Sequence, residues 1–174
     1  MAASAAFTTS CWRPWPSAPP AAEVGLRLRA ACRADVGAMF HIRAHTQDNA
    51  ISPERLAELG ITPATLGAAF DDSAVCGWLA VDDEAQAVGF CNVDPASGEV
   101  LVLAVLSGQE GQGVGRALLE AAVTHLQSVG SPPPWLMAGV NPALRAHGFY
   151  RAQGWRPSGR RDAQGDEELR LDTD

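Results

Sequence analysis

The chain has 174 residues, 47 % of them hydrophobic and 19 % charged, which is enough for one domain with a buried core and argues against wholesale disorder. The 13 Lys and Arg and 20 Asp and Glu give a net charge of −7, and no basic patch interrupts it, so no nucleic-acid partner is expected. No apolar run approaches the ~20 residues that a membrane-spanning helix needs, so no membrane association is expected. The four cysteines form no CxxC pair and have no histidine at ligand spacing, which predicts no metal site and reduced thiols in a cytoplasmic protein.

The first 24 residues differ in composition from the rest of the chain. Residues 1–24 are rich in alanine and proline and lack the charged, apolar and small-residue regions of a secretory signal. They predict a disordered or loosely packed extension. Residues 25–174 are predicted to form a single domain.

Strands and helices alternate along the predicted domain. Apolar alternation or continuous apolar runs predict strands at 26–29, 75–81, 87–93, 98–106, 135–138 and 168–171. Helical spacing predicts helices at 35–46, 113–129 and 142–153, and a hydroxyl residue followed by proline starts two more at Ser52 and Thr62. This order predicts a mixed α/β fold around one sheet.

The segment 100–119 combines an apolar strand, a glycine-rich turn and an amphipathic helix. Gly111, Gly113 and Gly115 remove side chains from the turn, so successive backbone N–H groups can converge on an anion. The N-terminus of the following helix adds a partial positive charge that also favours phosphate. The segment therefore predicts a phosphate or pyrophosphate site.

Two common phosphate motifs do not match this turn. Counted from Gly111, the Gly-x-Gly-x-x-Gly pattern needs a glycine where Arg116 stands, and the Gly-Lys-Ser/Thr of a P-loop is missing. A glycine-rich turn can also be a plain tight connection. A nucleotide-phosphate-binding domain is a further alternative, which competition by ATP would reveal.

A second motif, at 143–155, follows the glycine turn. Together the two segments resemble the GNAT-type N-acetyltransferase family, whose members use acetyl-coenzyme A (acetyl-CoA). The resemblance covers residues 26–172 and implies a mixed, mostly antiparallel central sheet, flanked by about four helices and splayed between strands 4 and 5. The matching residues are Gly111, Gly113, Gly115, Arg145, Ala146, Phe149, Tyr150, Gly154 and Trp155.

The resemblance implies roles for particular residues. The turn from Gln109 to Arg116 would give its amides to the pyrophosphate of acetyl-CoA, and Leu103 to Val105 would offer main-chain groups to the pantetheine arm and the acetyl carbonyl. Tyr150 stands where the family often has a tyrosine that protonates the leaving thiolate, although a packing aromatic is the alternative. The residues implied for the coenzyme are Leu103, Ala104, Val105, Gln109, Glu110, Gly111, Gln112, Gly113, Val114, Gly115, Arg116, Asn141 and Arg145.

Three positions depart from the family pattern. Glu110 stands where arginine or glutamine is usual, which puts a negative charge beside the expected pyrophosphate. Ser107 replaces a frequent proline after the strand. Ala143 stands where many members have asparagine, and the nearby Asn141 could substitute for it.

Acetyl transfer to an amine also needs a base or a water chain that removes the amine proton. Glu99, early in the fourth strand, is the first candidate, and His45 and Asp48 are others. Each of them could equally be a solvated surface residue, because single ionisable residues predict catalytic roles poorly.

These observations predict an acyltransferase that moves an acetyl group from acetyl-CoA directly to a primary amine of a small molecule or peptide. The oxyanion formed during transfer would meet a backbone amide near Val105. A catalytically silent coenzyme A-binding sensor or interaction module of the same fold is the alternative. The sequence selects no acceptor, and an exposed edge strand near the C-terminus could support a homodimer.

Overall fold

Seven strands form one sheet in the computed structural model, which describes residues 26–171. The predicted extension at 1–24 lies outside the described residues. Short turns join β2 to β3 and β3 to β4, and the first of them contains the polar run Asp82-Asp83-Glu84. The strands are β1 (Arg27–Ala30), β2 (Cys76–Val81), β3 (Ala87–Asp94), β4 (Glu99–Val105), β5 (Trp135–Ala138), β6 (Trp155–Arg161) and β7 (Glu167–Leu171).

The strand order is β1-β2-β3-β4-β5-β7-β6. All neighbouring strands pair antiparallel except β4 and β5, which are parallel. A parallel pair needs a crossover connection, and the long helix between β4 and β5 supplies it. The predicted mixed, mostly antiparallel sheet is therefore confirmed.

Five α-helices flank the sheet, and a single 3-10 turn precedes the first of them. Leu118, Ala122 and Leu126 of the fourth helix have no exposed surface and pack on one face of the sheet. Met39 and Ile42 of the first helix are equally buried against the other face. The helices are α1 (Val36–Ala44), α2 (Pro53–Glu58), α3 (Pro63–Asp71), α4 (Val114–Ser128) and α5 (Arg145–Ala152). None of the helices within residues 26–171 is long and apolar enough to cross a membrane.

Two predicted elements differ from the structure. The last helix begins at Arg145 and not at Pro142, because the Asn141 side chain accepts a hydrogen bond from the amide of Ala143 and holds a turn there. The apolar pattern predicted one strand after this helix, but two are present, since β6 joins β7. Only Trp155 of β6 is buried, so the strand shows no apolar alternation.

The helix starts at Ser52 and Thr62 are confirmed, and Thr62 allows a stability prediction. Its hydroxyl accepts a hydrogen bond from the amide of Thr65 at 3.1 Å, and the Thr65 hydroxyl accepts one from the amide of Thr62 at 2.9 Å. We expect Thr62→Ala to lower the free energy of unfolding by about 1 kcal/mol, measured by urea denaturation. Thr124→Ala, in the middle of α4, is the control and should change it by less than about 0.5 kcal/mol. Equal losses in the two variants would contradict a capping role for Thr62.

Candidate active site

A cleft separates β4 from β5 on the side where both strands end. The two strands pair in register only at Glu99 and Trp135, at the start of each strand. Two parallel strands that meet at one end and not at the other form a wedge, and its open end lies near Val105. This is the splay between strands 4 and 5 that the resemblance implies.

A bulge in β4 contributes to this opening. Asn92 of β3 pairs with Val102 and Val93 pairs with Val100, so Leu101 is an extra residue without a partner on β3. Bulges bend a strand and increase its local twist. Although β4 lies between two other strands, the Leu101 side chain is 45 % exposed, whereas all six inner residues of β3 are buried. The apolar residues of β4 thus border an open cleft.

The main chain of Leu103 and Val105 faces the cleft. The amide of Leu106 donates to the carbonyl of Val88 at 2.8 Å, which makes Leu106 a hydrogen-bonded partner of β3. In an antiparallel pair, every second residue directs its N–H and C=O groups away from the partner strand. Leu103 and Val105 therefore direct theirs toward β5, and β5 pairs with β4 only at Glu99.

The glycine turn follows directly at the open end of the cleft. Gly108, Gly111 and Gly113 all have positive φ angles, of 90°, 77° and 84°, and these conformations favour glycine. Gly113 is the N-cap of α4 and provides no side chain to cap it. No acceptor within residues 26–171 takes the amides of residues 111 to 116, whereas α2 and α3 have hydroxyl caps. Six successive amides are thus available to an anion.

Close packing holds the turn beside α5. A Cβ atom on Gly115 would lie 3.6 Å from the Phe149 ring and 3.7 Å from the Val105 side chain. One on Gly113 would meet no atom within 4 Å. The start of α4 is therefore packed on its inner side and open at its tip.

Glu110 and Arg145 form an ion pair across the turn. The Glu110 side chain is 20 % exposed and that of Arg145 is 54 % exposed, so the pair lies at the surface of the turn. The backbone amide of Arg145 donates to the Asp48 carboxylate at 3.1 Å, which caps α5 from a loop that follows α1. Glu110 therefore neutralises the charge of Arg145, which would otherwise be available to a bound anion.

Tyr150 lies on α5 next to this turn. Its ring packs edge-on against Phe149 and Trp155, with ring centroids 5.2 and 6.2 Å away. Burial raises the pKa of the Tyr150 phenol well above its ordinary value, and Cys91 adds to the rise, while Arg43 opposes it.

The three candidate bases lie in different places. Glu99 is at the closed end of the cleft, about 20 Å along β4 from Val105 at ~3.3 Å per residue. Burial raises the pKa of its carboxyl, and Asp94 adds to this. His45 lies at the open end, where its carbonyl accepts from the amide of Ser107 at 3.2 Å. Asp48 caps α5 at the same end.

The His45 ring has a defined tautomer. Its Nδ1 lies 2.7 Å from the carbonyl oxygen of His41, and a carbonyl can only accept, so Nδ1 carries the proton. In the neutral ring the lone pair is then on the other nitrogen, Nε2. The structure thus brings His45, Asp48 and Tyr150 to one end of the cleft and leaves Glu99 at the other.

The residues implied for the coenzyme lie near the open end of the cleft, and one of them, Asn141, already uses part of its side chain in a local turn. Asn141 lies in the exposed loop before α5, and its side-chain oxygen accepts from the amide of Ala143 at 3.0 Å. Its side-chain nitrogen and the second acceptor site of this oxygen are left for a ligand. Of the other residues implied for the coenzyme, the structure places Leu103, Ala104 and Val105 at the end of β4, Gln109, Glu110, Gly111, Gln112 and Gly113 in the turn, and Val114, Gly115, Arg116 and Arg145 at the starts of α4 and α5, with the side chains of Ala104 and Val114 buried.

Arg43 belongs to this region and was not predicted. It lies in the last turn of α1, and its guanidinium donates to the carbonyl of Asn49. The sequence contained a signal for this residue, an arginine at helical spacing from apolar residues. Arg43 comes seven residues after Val36, four after Met39 and three after Phe40, so it lies on the face that α1 buries. A cation on an apolar face needs a partner, and this suggests a functional residue.

Comparison with known proteins agrees with this geometry. The Acetyltransferase (GNAT) domain family matches residues 73–157, a range that contains β2, β3, β4, the glycine turn, α4, β5 and α5. No curated protein sequence matches the chain. The family match thus covers the strands, the turn and the helices from which the candidate site is built.

Solved structures with this fold are similar over most of the chain. PaiA N-acetyltransferase from Thermoplasma acidophilum, solved in complex with coenzyme A, is 14 % identical, with a TM-score of 0.71 over 85 % of this chain and 99 % of that one. A GNAT-family acetyltransferase from Staphylococcus aureus is 14 % identical, with a TM-score of 0.67 over 84 % and 98 %. The Escherichia coli N-acetyltransferase of a ribosomal-protein alanine is 18 % identical, with a TM-score of 0.60 over 83 % and 90 %. Residues 73–157 therefore match the GNAT acetyltransferase domain family, and the chain shares its fold with solved GNAT acetyltransferases.

Proposed function

We propose that the protein transfers an acetyl group from acetyl-CoA directly to a primary amine. The observation that carries the proposal is the cleft between β4 and β5, which leads to six amides without acceptors at residues 111 to 116. A negatively charged pyrophosphate fits these amides at the N-terminus of α4, and an extended, mostly apolar arm fits the exposed apolar edge of β4.

Residues of the cleft supply the groups that acyl transfer needs. A thioester presents an activated carbonyl that a neutral amine can attack directly. The amide of Val105 faces the cleft and is available for the negative charge that develops on the carbonyl oxygen. Tyr150 is held protonated by burial and would give its proton to the departing sulfur.

The base at the acceptor side is reassigned in this proposal. Glu99 is too far along β4 to take a proton from an amine beside Val105, since transfer needs hydrogen-bond contact or one bridging water. His45 is at the open end, with the lone pair of its neutral ring on Nε2, so we assign the proton to His45 or to water that it contacts.

Titration calorimetry tests the coenzyme first. The protein should bind acetyl-CoA and free coenzyme A with micromolar affinity and give no heat with ATP. Release of the free thiol in the presence of a panel of amines then tests transfer. Absence of heat with both coenzyme forms, together with an unchanged melting temperature, would mean that the glycine turn is only a connection.

A coenzyme A-binding sensor is the second candidate, and one observation favours it. Within residues 26–171, the carboxylates of Glu110 and Asp48 at the open end are both engaged, Glu110 by Arg145 and Asp48 by the amide at the start of α5. A sensor would bind the coenzyme and release no thiol with any amine. Turnover with any amine of the panel would exclude it.

Glu110 is expected to weaken coenzyme binding. Removing its charge with Glu110→Gln would free Arg145 and remove a repulsion, which should raise the affinity for coenzyme A by about three- to tenfold at low salt and by less at high salt. Glu58→Gln, in an exposed pair with Arg55, changes the net charge equally and should leave the affinity unchanged. A fall in affinity for Glu110→Gln would mean that the pair positions Arg145 for the coenzyme.

A further inference from the structure

We propose that the acceptor carries a carboxylate next to its amine, as an amino acid does, and that Arg43 binds this carboxylate. The inference rests on the proposed acetyl transfer and names the acceptor class for it. Arg43 would select the acceptor, while the amides of the glycine turn and Tyr150 would handle the coenzyme.

The position of Arg43 carries the first step. The last turn of α1 lies at the open end of the cleft, because the carbonyl of His45 accepts from Ser107, just after β4. The loop after α1 also contacts α5, since Asp48 accepts from the amide of Arg145. These contacts place the last turn of α1, which holds Arg43, next to the end of β4 and the start of α5, the helix that holds Tyr150.

The hydrogen bonds of Arg43 carry the second step. Its side chain is partly buried, and its Nη1 donates to the carbonyl of Asn49. No carboxylate within residues 26–171 forms an ion pair with it, although eight other pairs occupy arginines of that range. A guanidinium has five N–H donors, so its other edge is free for a bidentate contact with a carboxylate.

The electrostatic environment carries the third step. Burial lowers the pKa of the Arg43 guanidinium, and interaction with Tyr150 opposes this. Arginine stays charged under these conditions. The chain as a whole has a net charge of −7 and would repel a carboxylate, so an acceptor of this class needs a local cation.

Matched acceptors test the inference. The probes are the common L-amino acids and their amides, which keep the amine and lose the carboxylate charge, and the readout is thiol release from acetyl-CoA. At least one amino acid should have a kcat/KM more than tenfold above that of its amide. Arg43→Gln should lower this kcat/KM by roughly 10- to 100-fold, mainly through KM, and leave the amide within about threefold.

Two further variants separate recognition from folding. Arg43→Lys keeps the charge and loses the planar fork, so it should restore part of the preference for the amino acid. Arg55→Gln removes an exposed arginine of α2 and should leave both acceptors unchanged. Affinity for coenzyme A, measured by calorimetry, should be unaffected in all three variants.

The outcomes distinguish the inference from the proposed function. Failure of the wild-type protein to bind coenzyme A would overturn both. Two outcomes would overturn the carboxylate inference alone. In both, the protein binds the coenzyme, and it either accepts amides as well as amino acids or accepts neither. If Arg43→Gln lowered kcat/KM equally for the amino acid and its amide, the role of Arg43 would be only to hold the loop at Asn49.

Discussion

Tyr150→Phe is expected to lower kcat by roughly 100-fold or more with an unchanged affinity for coenzyme A, because it removes one proton donor and keeps the ring. The ring packs against Phe149 and Trp155, so its retention should also leave the melting temperature unchanged. Steady-state thiol release measures kcat, and calorimetry measures the affinity. A kcat within about threefold of wild type would mean that Tyr150 only packs the helix.

The pH dependence gives a second check on the same residue. Burial disfavours the charged tyrosinate, so the pKa of Tyr150 is raised and the phenol stays protonated at neutral and mildly alkaline pH. Since the protonated form is the active one, Tyr150 should cause no loss of activity below its ordinary pKa of about 10. It is the single tyrosine of the chain, so tyrosinate absorbance in a pH titration reports on it alone. An ordinary or lowered pKa would contradict its burial in the cleft.

Apolar patterns predicted the sheet because they record which residues are buried. The runs at 87–93 and 135–138 correspond to strands whose inner residues contact the core, and Ser52 and Thr62 cap helices through bonds three residues away. β6 gave no such signal, since only Trp155 is buried and its pairing with β7 comes from the backbone. The bulge at Leu101 was equally hidden, because an extra residue does not alter an all-apolar sequence.

The site was predictable where it depends on the backbone. Glycine content located the turn at 111–115, and the structure gives two of these glycines the positive φ angles that only such residues adopt easily. Pairings between distant side chains were not predictable. Glu110 and Arg145 are 35 residues apart, and Asp48 and Arg145 are 97 apart, so their contacts depend on the tertiary fold. Glu99 stood out as an acid in the right strand, but its position along that strand separates it from the open end.

Gly113→Val is expected to weaken coenzyme binding strongly. A branched side chain at a φ of 84° strains the N-cap of α4, and its atoms would project into the open space beside the free amides. Relief of this strain would turn the amides away from their common direction. Calorimetry should show at least a 30-fold loss of affinity, which corresponds to about 2 kcal/mol.

Gly130→Val provides a control at the other end of the same helix. Gly130 has a φ of 72°, and like Gly113 it has no atom within 4 Å of its Cβ position. The two variants should therefore lose similar stability, about 1–2 kcal/mol in urea denaturation, because both force a branched residue into the left-handed region. Only Gly113→Val should lose the coenzyme. Equal affinities in the two variants would show that the turn does not bind the pyrophosphate, and the amides at residues 111 to 116 would then need another explanation.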